Sequence, residues 1–131
     1  LNADTPSVYS AAASDLTDWT TGIALTDATN AGFSIRSASA AGRVVLAWGQ
    51  LMWTMDVSGK SITMDSNDVD LTTDSHGNVF GLATDGVTYV AVCDTGDVLS
   101  STDGGDSWSL RATNVGSKDG ECIAADVYLP L

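Results

Sequence analysis

Positive charge is scarce in this chain. Five Lys and Arg stand against seventeen Asp and Glu in 131 residues, for a formal net charge of −12. Nucleic-acid binding needs a basic stripe to neutralise phosphates, and so few cations cannot supply one. The same deficit disfavours anionic membrane surfaces. No apolar run approaches the roughly 18 residues that span a bilayer. The start, Leu1-Asn2-Ala3-Asp4, has neither the basic nor the apolar region of a targeting segment. Its first residue is not Met, as expected of a processed chain or a piece of a longer one. Glutamate is nearly missing too, since Glu121 is the only one. Glu, Lys and Arg favour helices, whereas the abundant Asp, Ser, Thr, Asn and Gly favour turns, so the composition suits strands joined by tight loops. No convincing amphipathic helix is legible.

Cysteine and histidine are as sparse. Cys93 and Cys122 are too far apart for a redox Cys-x-x-Cys pair or a zinc half-site, which leaves a single disulfide or two buried thiols. One possible bridge does not assign a compartment. His76, the lone histidine, precedes Gly77-Asn78 in a turn-like stretch. It makes no zinc site unless both cysteines converge on it, and an exposed loop residue is expected.

What the chain does contain is a repeat. At an offset of 47, Phe33 falls on Phe80, Ile35 on Leu82, Gly49 on Gly96, Leu51 on Val98, Met52 on Leu99, Thr54 on Ser101 and Asp56 on Asp103. Seven similar pairs in one ungapped register indicate an internal duplication. Short apolar segments separated by turn signals fill each copy: Phe33 to Arg36, Arg43 to Trp48, Leu51 to Met55 and Lys60 to Met64, then Asn78 to Ala83, Thr88 to Cys93, Val98 to Ser101 and Ser107 to Ala112. The expected fold is all-β, with about three blade-like repeats of four short antiparallel strands in a single domain, 1–131. A partial repeat covers 1–30, with strands near Pro6 to Ala11 and Asp18 to Leu25. Full repeats cover 31–77 and 78–120, and a closing strand covers 121–131.

The best preserved stretch is Ser101-Thr102-Asp103-Gly104-Gly105-Asp106-Ser107-Trp108. Its glycines permit backbone angles closed to other residues, its Asp and Ser can bond nearby amides, and Trp108 supplies a large apolar anchor. A worn copy runs from Thr54 through Asp56 and Gly59 to Ile62, and a more distant one from Ser14 to Trp19. Ser-x-Asp-x-Gly-x-x-Trp resembles the Asp-box, the hairpin motif of sialidase-like and related β-propeller repeat proteins. That resemblance implies a β-propeller-like architecture, with Ser101, Asp103, Gly105, Trp108, Thr54, Asp56 and Gly59 as structural residues at blade edges. Three repeats fall short of the usual four to eight blades, so closure by oligomerisation or by a larger assembly is expected.

Catalysis is not expected. The chemistry implied by the sialidase resemblance needs an arginine cluster, a Tyr with a nearby Glu, and an Asp. Here Arg36, Arg43 and Arg111 are scattered, and they read as solvated charges offsetting an acidic surface. The carboxylate pairs Asp65 with Asp68, Asp94 with Asp97 and Asp103 with Asp106 all lie in turn-forming stretches, which explains them without acid/base work. Asp65-Ser66-Asn67-Asp68-Val69-Asp70 is the densest oxygen cluster, yet it lacks the Gly and distant Glu of an EF-hand loop, and no metal or cofactor is expected. Trp48 and Trp53 flank Gly49-Gln50 and have no aromatic counterparts at Thr95 and Ser100. Core packing is the leading reading of both, with a ligand or interface surface as the possibility beside it.

The function expected is a non-catalytic structural or assembly module, a homo-oligomer or part of a larger protein assembly, with no nucleic acid and no membrane insertion. A lysine-poor chain rich in Asp, Ser, Thr, Ala and Gly is similar in composition to surface or tail components of phage virions, which implies a virion or extracellular location. The alternatives are a carbohydrate-binding module and a fragment of a sialidase-like glycoside hydrolase.

Overall fold

A computed structural model describes residues 7–12, 14–25, 35–65, 69–71 and 73–115, and within them the chain is all-β in several antiparallel sheets. Phe33, Asp68, Cys122 and the closing strand at 121–131 lie outside these residues.

The first full sheet is a meander of β5 (Ile35–Ala40), β6 (Arg43–Trp48), β7 (Leu51–Ser58) and β8 (Ser61–Met64). Two-residue turns link its strands, so the register is tight: Ala40 pairs Arg43, Trp48 pairs Leu51 and Ser58 pairs Ser61. The first turn has positive φ at both Ala41 and Gly42, which matches the right-handed twist of a hairpin. The second meander contains β10 (Val79–Thr84), β11 (Tyr89–Cys93), β12 (Val98–Ser101) and β13 (Ser109–Ala112). Seven of the eight strands fall where the apolar segments of the repeat predicted them, whereas the segment expected at Phe33 to Arg36 meets β5 only at Ile35 and Arg36, and the strand runs on to Ala40. The spacing between counterparts widens along the sheet: their first residues, Ile35 and Val79, Arg43 and Tyr89, Leu51 and Val98, Ser61 and Ser109, lie 44, 46, 47 and 48 apart. The ungapped offset of 47 therefore holds at the third strands, while longer connections in the second copy absorb the drift.

The meanders pack face to face. Strand alternation puts Val45, Ala47 and Met52 on one side of the first sheet and Tyr89, Ala91 and Leu99 on one side of the second, and these residues meet in a shared core. The leading strands β5 and β10 lie side by side in the same direction, since Arg36 Nε donates to Phe80 O (2.7 Å) and Gly86 approaches Ala40. The connector carries β9 (Val69–Asp70) back onto the start of β7 and passes the Gly49-Gln50 turn, where Leu71 N and Val79 N donate to Gln50 O and Gly49 O.

Before the meanders come four short strands where two were expected: β1 (Ser7–Val8), β2 (Ala11–Ala12), β3 (Asp15–Trp19) and β4 (Ile23–Ala24). β1 pairs β4 and β2 pairs β3. Val8 and Leu25 close over the other face of the first meander, against Leu46, Trp53 and Met55. The first meander is thus covered on both faces. Side chains buried this way contribute about 1.5–3 kcal/mol each, and they concentrate here: Trp53, Met52, Met55, Val45 and Thr54 are all fully buried. The described strands do not close into a barrel or a ring of blades.

Candidate functional site

β12 stops at Ser101, and the chain takes seven residues to reach β13, crossing Asp103, Gly104, Gly105, Asp106 and Trp108 on the way. The turn is held by its own side chains. Ser101 Oγ donates to Asp103 Oδ1 (2.6 Å) and accepts from Gly105 N (2.9 Å). Asp103 accepts from Ser107 N (3.0 Å) through Oδ1 and from the Ser107 hydroxyl through Oδ2. Trp108 Nε1 donates to Gly105 O (3.0 Å), and its half-buried ring packs against both parts of the inter-sheet core. The hydroxyls of Ser101 and Ser107 stabilise the ionised carboxylate and hold the Asp103 pKa down to about 2.

The same turn grips the first meander. Gly105 has φ +96°, and a Cβ there would come within 2.6 Å of Val45 Cγ2 and 2.8 Å of Thr54 Cγ2. Only glycine lets the backbone lie this close at that angle. Beside it, Arg43 Nε donates to Gly104 O (3.0 Å), and the Arg43 guanidinium pairs with Asp106, Asp65 and Asp56. Thr54 Oγ1 donates towards Asp65 Oδ2 (3.0 Å) and Asp106 Oδ1 (3.3 Å). Burial opposes the Arg43 charge, but the bonds from Asp65 and Asp56 and the field of Asp106 outweigh it and raise its pKa. A solvated Arg43 was expected. Its side chain is instead 18% exposed and sits at the centre of the contact between the sheets. The sequence signal was weak: an Arg opening an apolar strand in a chain with few cations.

The other expected turn residues are not gathered into such a loop. Thr54 lies within β7, buried against the neighbouring turn. Asp56 projects to solvent with a 3.2 Å contact to Arg43, and Gly59 sits at φ +61° in a two-residue hairpin with open space around it. Trp19 Nε1 donates to Leu16 O (2.7 Å), but its ring is 57% exposed and anchors no core.

A second polar cluster joins the connector to the β11–β12 turn. His76 Nδ1 lies 2.9 Å from Asp97 Oδ2, Asp94 accepts from Asn78 N (2.9 Å) and Asn78 Nδ2 (2.8 Å), and Thr95 Oγ1 donates to His76 O (2.5 Å). Where an exposed loop histidine was expected, the His76 side chain is 14% exposed. Cys93, adjacent and buried, has no disulfide partner among the described residues. Burial first, then the charges of Asp97 and Asp94, push its pKa to about 12, so it is no nucleophile near neutrality.

Trp53 is 1% exposed within the core, which corrects its candidacy as a ligand surface. Trp48 packs against the same cluster, and both indole Nε1 atoms are buried with no hydrogen-bond partner among the described residues. In the acidic stretch 65–70, Asp65 is committed to Arg43 and Thr54, and 66–68 lie outside the described residues. Among the described residues no three His, Cys, Asp or Glu side chains are grouped to hold a metal ion. Comparisons with protein-family models, curated proteins and solved structures each find no match to this chain.

Proposed function

We propose that the chain is a non-catalytic structural module of Asp-box, β-propeller-like repeats that works through its surfaces in an assembly. The observation that carries this reading is where the acidic side chains go. Asp65, Asp94, Asp97, Asp103 and Asp106, which include every described member of the carboxylate pairs, spend their oxygens binding turns to strands or sheet to sheet. A general acid or base must be free to meet substrate. The propeller-like element is supported by two successive meanders with parallel leading strands and by a turn bonded as the Ser-x-Asp-x-Gly-x-x-Trp spacing implies. The composition supports a virion or extracellular surface component. Light scattering on the purified chain across a concentration series tests the reading: mass above the monomer is expected, and a clean monomer throughout would count against it.

A carbohydrate-binding surface is the second reading, favoured by Tyr9 and Trp19, aromatics more than half exposed in the N-terminal unit. A glycan array on which binding disappears with Trp19→Ala while the fold persists would move the conclusion there.

A further inference from the structure

The four N-terminal strands make one hairpin with two sides, joined in its middle by Thr20 N donating to Ser10 O (2.8 Å). Val8 enters the first meander's core and Ser10 Oγ donates to Lys60 O (2.7 Å), so these alternate residues face the meander. Tyr9 and Ala11 therefore face outwards, and Trp19, paired with Ala11, faces outwards with them. Asp15, paired with Ala12, belongs to the other side.

Both outward rings are held where they stand. Trp19 Nε1 donates to Leu16 O (2.7 Å), which fixes the indole while 57% of the residue stays exposed. Tyr9 is 56% exposed, and its ring crosses Gly22, where a Cβ would come within 2.5 Å of Tyr9 Cζ and 2.8 Å of its hydroxyl oxygen. Gly22 does not adopt a positive φ, so its missing side chain makes room for the ring and does not serve the backbone. Ala11 lies between the two aromatics and adds no bulk. Across it they are diagonal neighbours, with Cβ atoms about 7–8 Å apart.

Size and charge select the ligand. Aromatic side chains bury roughly 150–250 Å² each, so the open halves of these two offer on the order of 200–300 Å². A stable protein interface takes roughly 800 Å² per partner, and exposed Leu16 does not close that gap. The nearby carboxylates are engaged already, Asp15 by Thr17 N (3.0 Å) and Thr17 Oγ1 (2.6 Å), and Asp18 by Lys60. They do not select a cation, and two rings on an open strand face make no cage around one. The net charge of −12 repels anions. A small neutral ligand with a flat apolar face fits what is left. A pyranose ring has such a face: its C–H groups lie on the negative π-face of an aromatic ring while its hydroxyls stay in water.

We propose that the outward face of the N-terminal hairpin is a platform for a neutral glycan, with Trp19 and Tyr9 stacking on its sugar rings and Gly22 setting the Tyr9 ring in place. The proposal rests on the carbohydrate-binding reading and names its ligand class and its residues. It adds a binding surface to the structural module and asks for no catalytic step.

Isothermal titration of the full-length chain with cellohexaose, chitohexaose and maltohexaose, and with sialyllactose as an anionic counterpart, tests this. At least one of the neutral sugars is expected to bind, and Trp19→Ala should weaken that binding at least about tenfold at an unchanged urea midpoint. Gly22→Ala should weaken it several-fold although it keeps both aromatics, because the new Cβ displaces the far end of the Tyr9 ring. Neutral-sugar binding unmoved by both substitutions overturns the platform and leaves the carbohydrate reading standing. Sialyllactose bound in preference to the neutral sugars overturns the ligand class. No binding of any of the four overturns the platform and the carbohydrate reading together, and a lower mass of Trp19→Ala in light scattering then assigns the face to contact between copies.

Discussion

Two turns occupy corresponding places in the two meanders, and they are built on different plans. Between β7 and β8 the strands continue to Ser58 and Ser61, and two residues reverse the chain with open space around Gly59. Between β12 and β13 the ladder ends at Ser100 and Ser109, and the seven residues after Ser101 fold onto their own side chains and onto the neighbouring sheet. The hairpin needs only local backbone chemistry, while the longer turn is a tertiary contact element. The difference teaches that the preserved Ser, Asp, Gly and Trp record docking as much as turning. Substitutions in the two turns should therefore diverge sharply.

Glycine to alanine breaks the comparison hardest. At Gly105 a Cβ meets Val45 and Thr54 as well as an unfavourable φ, so Gly105→Ala should cost about 3–5 kcal/mol, from backbone strain plus overpacking. At Gly59 only the left-handed backbone is penalised, and Gly59→Ala should cost about 1 kcal/mol. Urea denaturation of both variants measures the gap. Equal costs would mean that the longer turn does not bear on the first sheet.

The anchors come next. Trp108→Ala removes a half-buried ring that touches both parts of the inter-sheet core and should cost about 2–4 kcal/mol. Ile62→Ala trims a partly buried side chain at the margin of the other cluster and should cost about 1–2 kcal/mol. Arg43→Met follows at about 1–2 kcal/mol, because it leaves Asp65 and Asp106 facing each other without their shared cation, although both are partly solvated. Asp56→Asn, at the exposed arm of the same arginine, should stay within about 0.5 kcal/mol. These differences are read from the same denaturation curves.

How much of this was legible follows from the range of the interactions. The strands of both meanders were readable because alternation and turn residues are local signals, and every predicted segment meets an observed strand, the leading one only at Ile35 and Arg36. The Ser101 to Trp108 turn was readable for the same reason, since its bonds span at most four residues. Arg43 and His76 were misjudged because their partners lie far along the chain: Asp106 is 63 residues from Arg43 and Asp97 is 21 from His76. Trp19 was misjudged in the opposite sense. Its indole reaches the carbonyl three residues back, as Trp108 does, but among the described residues its ring stays exposed and joins no core cluster. Local chemistry can position an aromatic without burying it.

The smallest effect separates the turns by pH. Asp103 is held at a pKa of about 2 against an ordinary value of 3.8, chiefly by the hydroxyls of Ser101 and Ser107. A carboxylate depressed in the folded state stabilises the fold above its unfolded pKa and loses that contribution as pH falls through the folded value. The contribution should be complete above about pH 4 and gone near pH 2, and solvent screening at this exposed group keeps it small. Asp103→Asn removes the titration while keeping most of the turn's shape, so its stability should fall less steeply than that of the wild type between those pH values. Ser107→Ala deletes one of the stabilising hydroxyls and should move the acid limb of the wild-type curve upwards in pH. If urea midpoints of Asp103→Asn and wild type run parallel from pH 5 to pH 2, then the hydroxyl bonds shape the turn without stabilising its charge, and its advantage over the hairpin lies in packing alone.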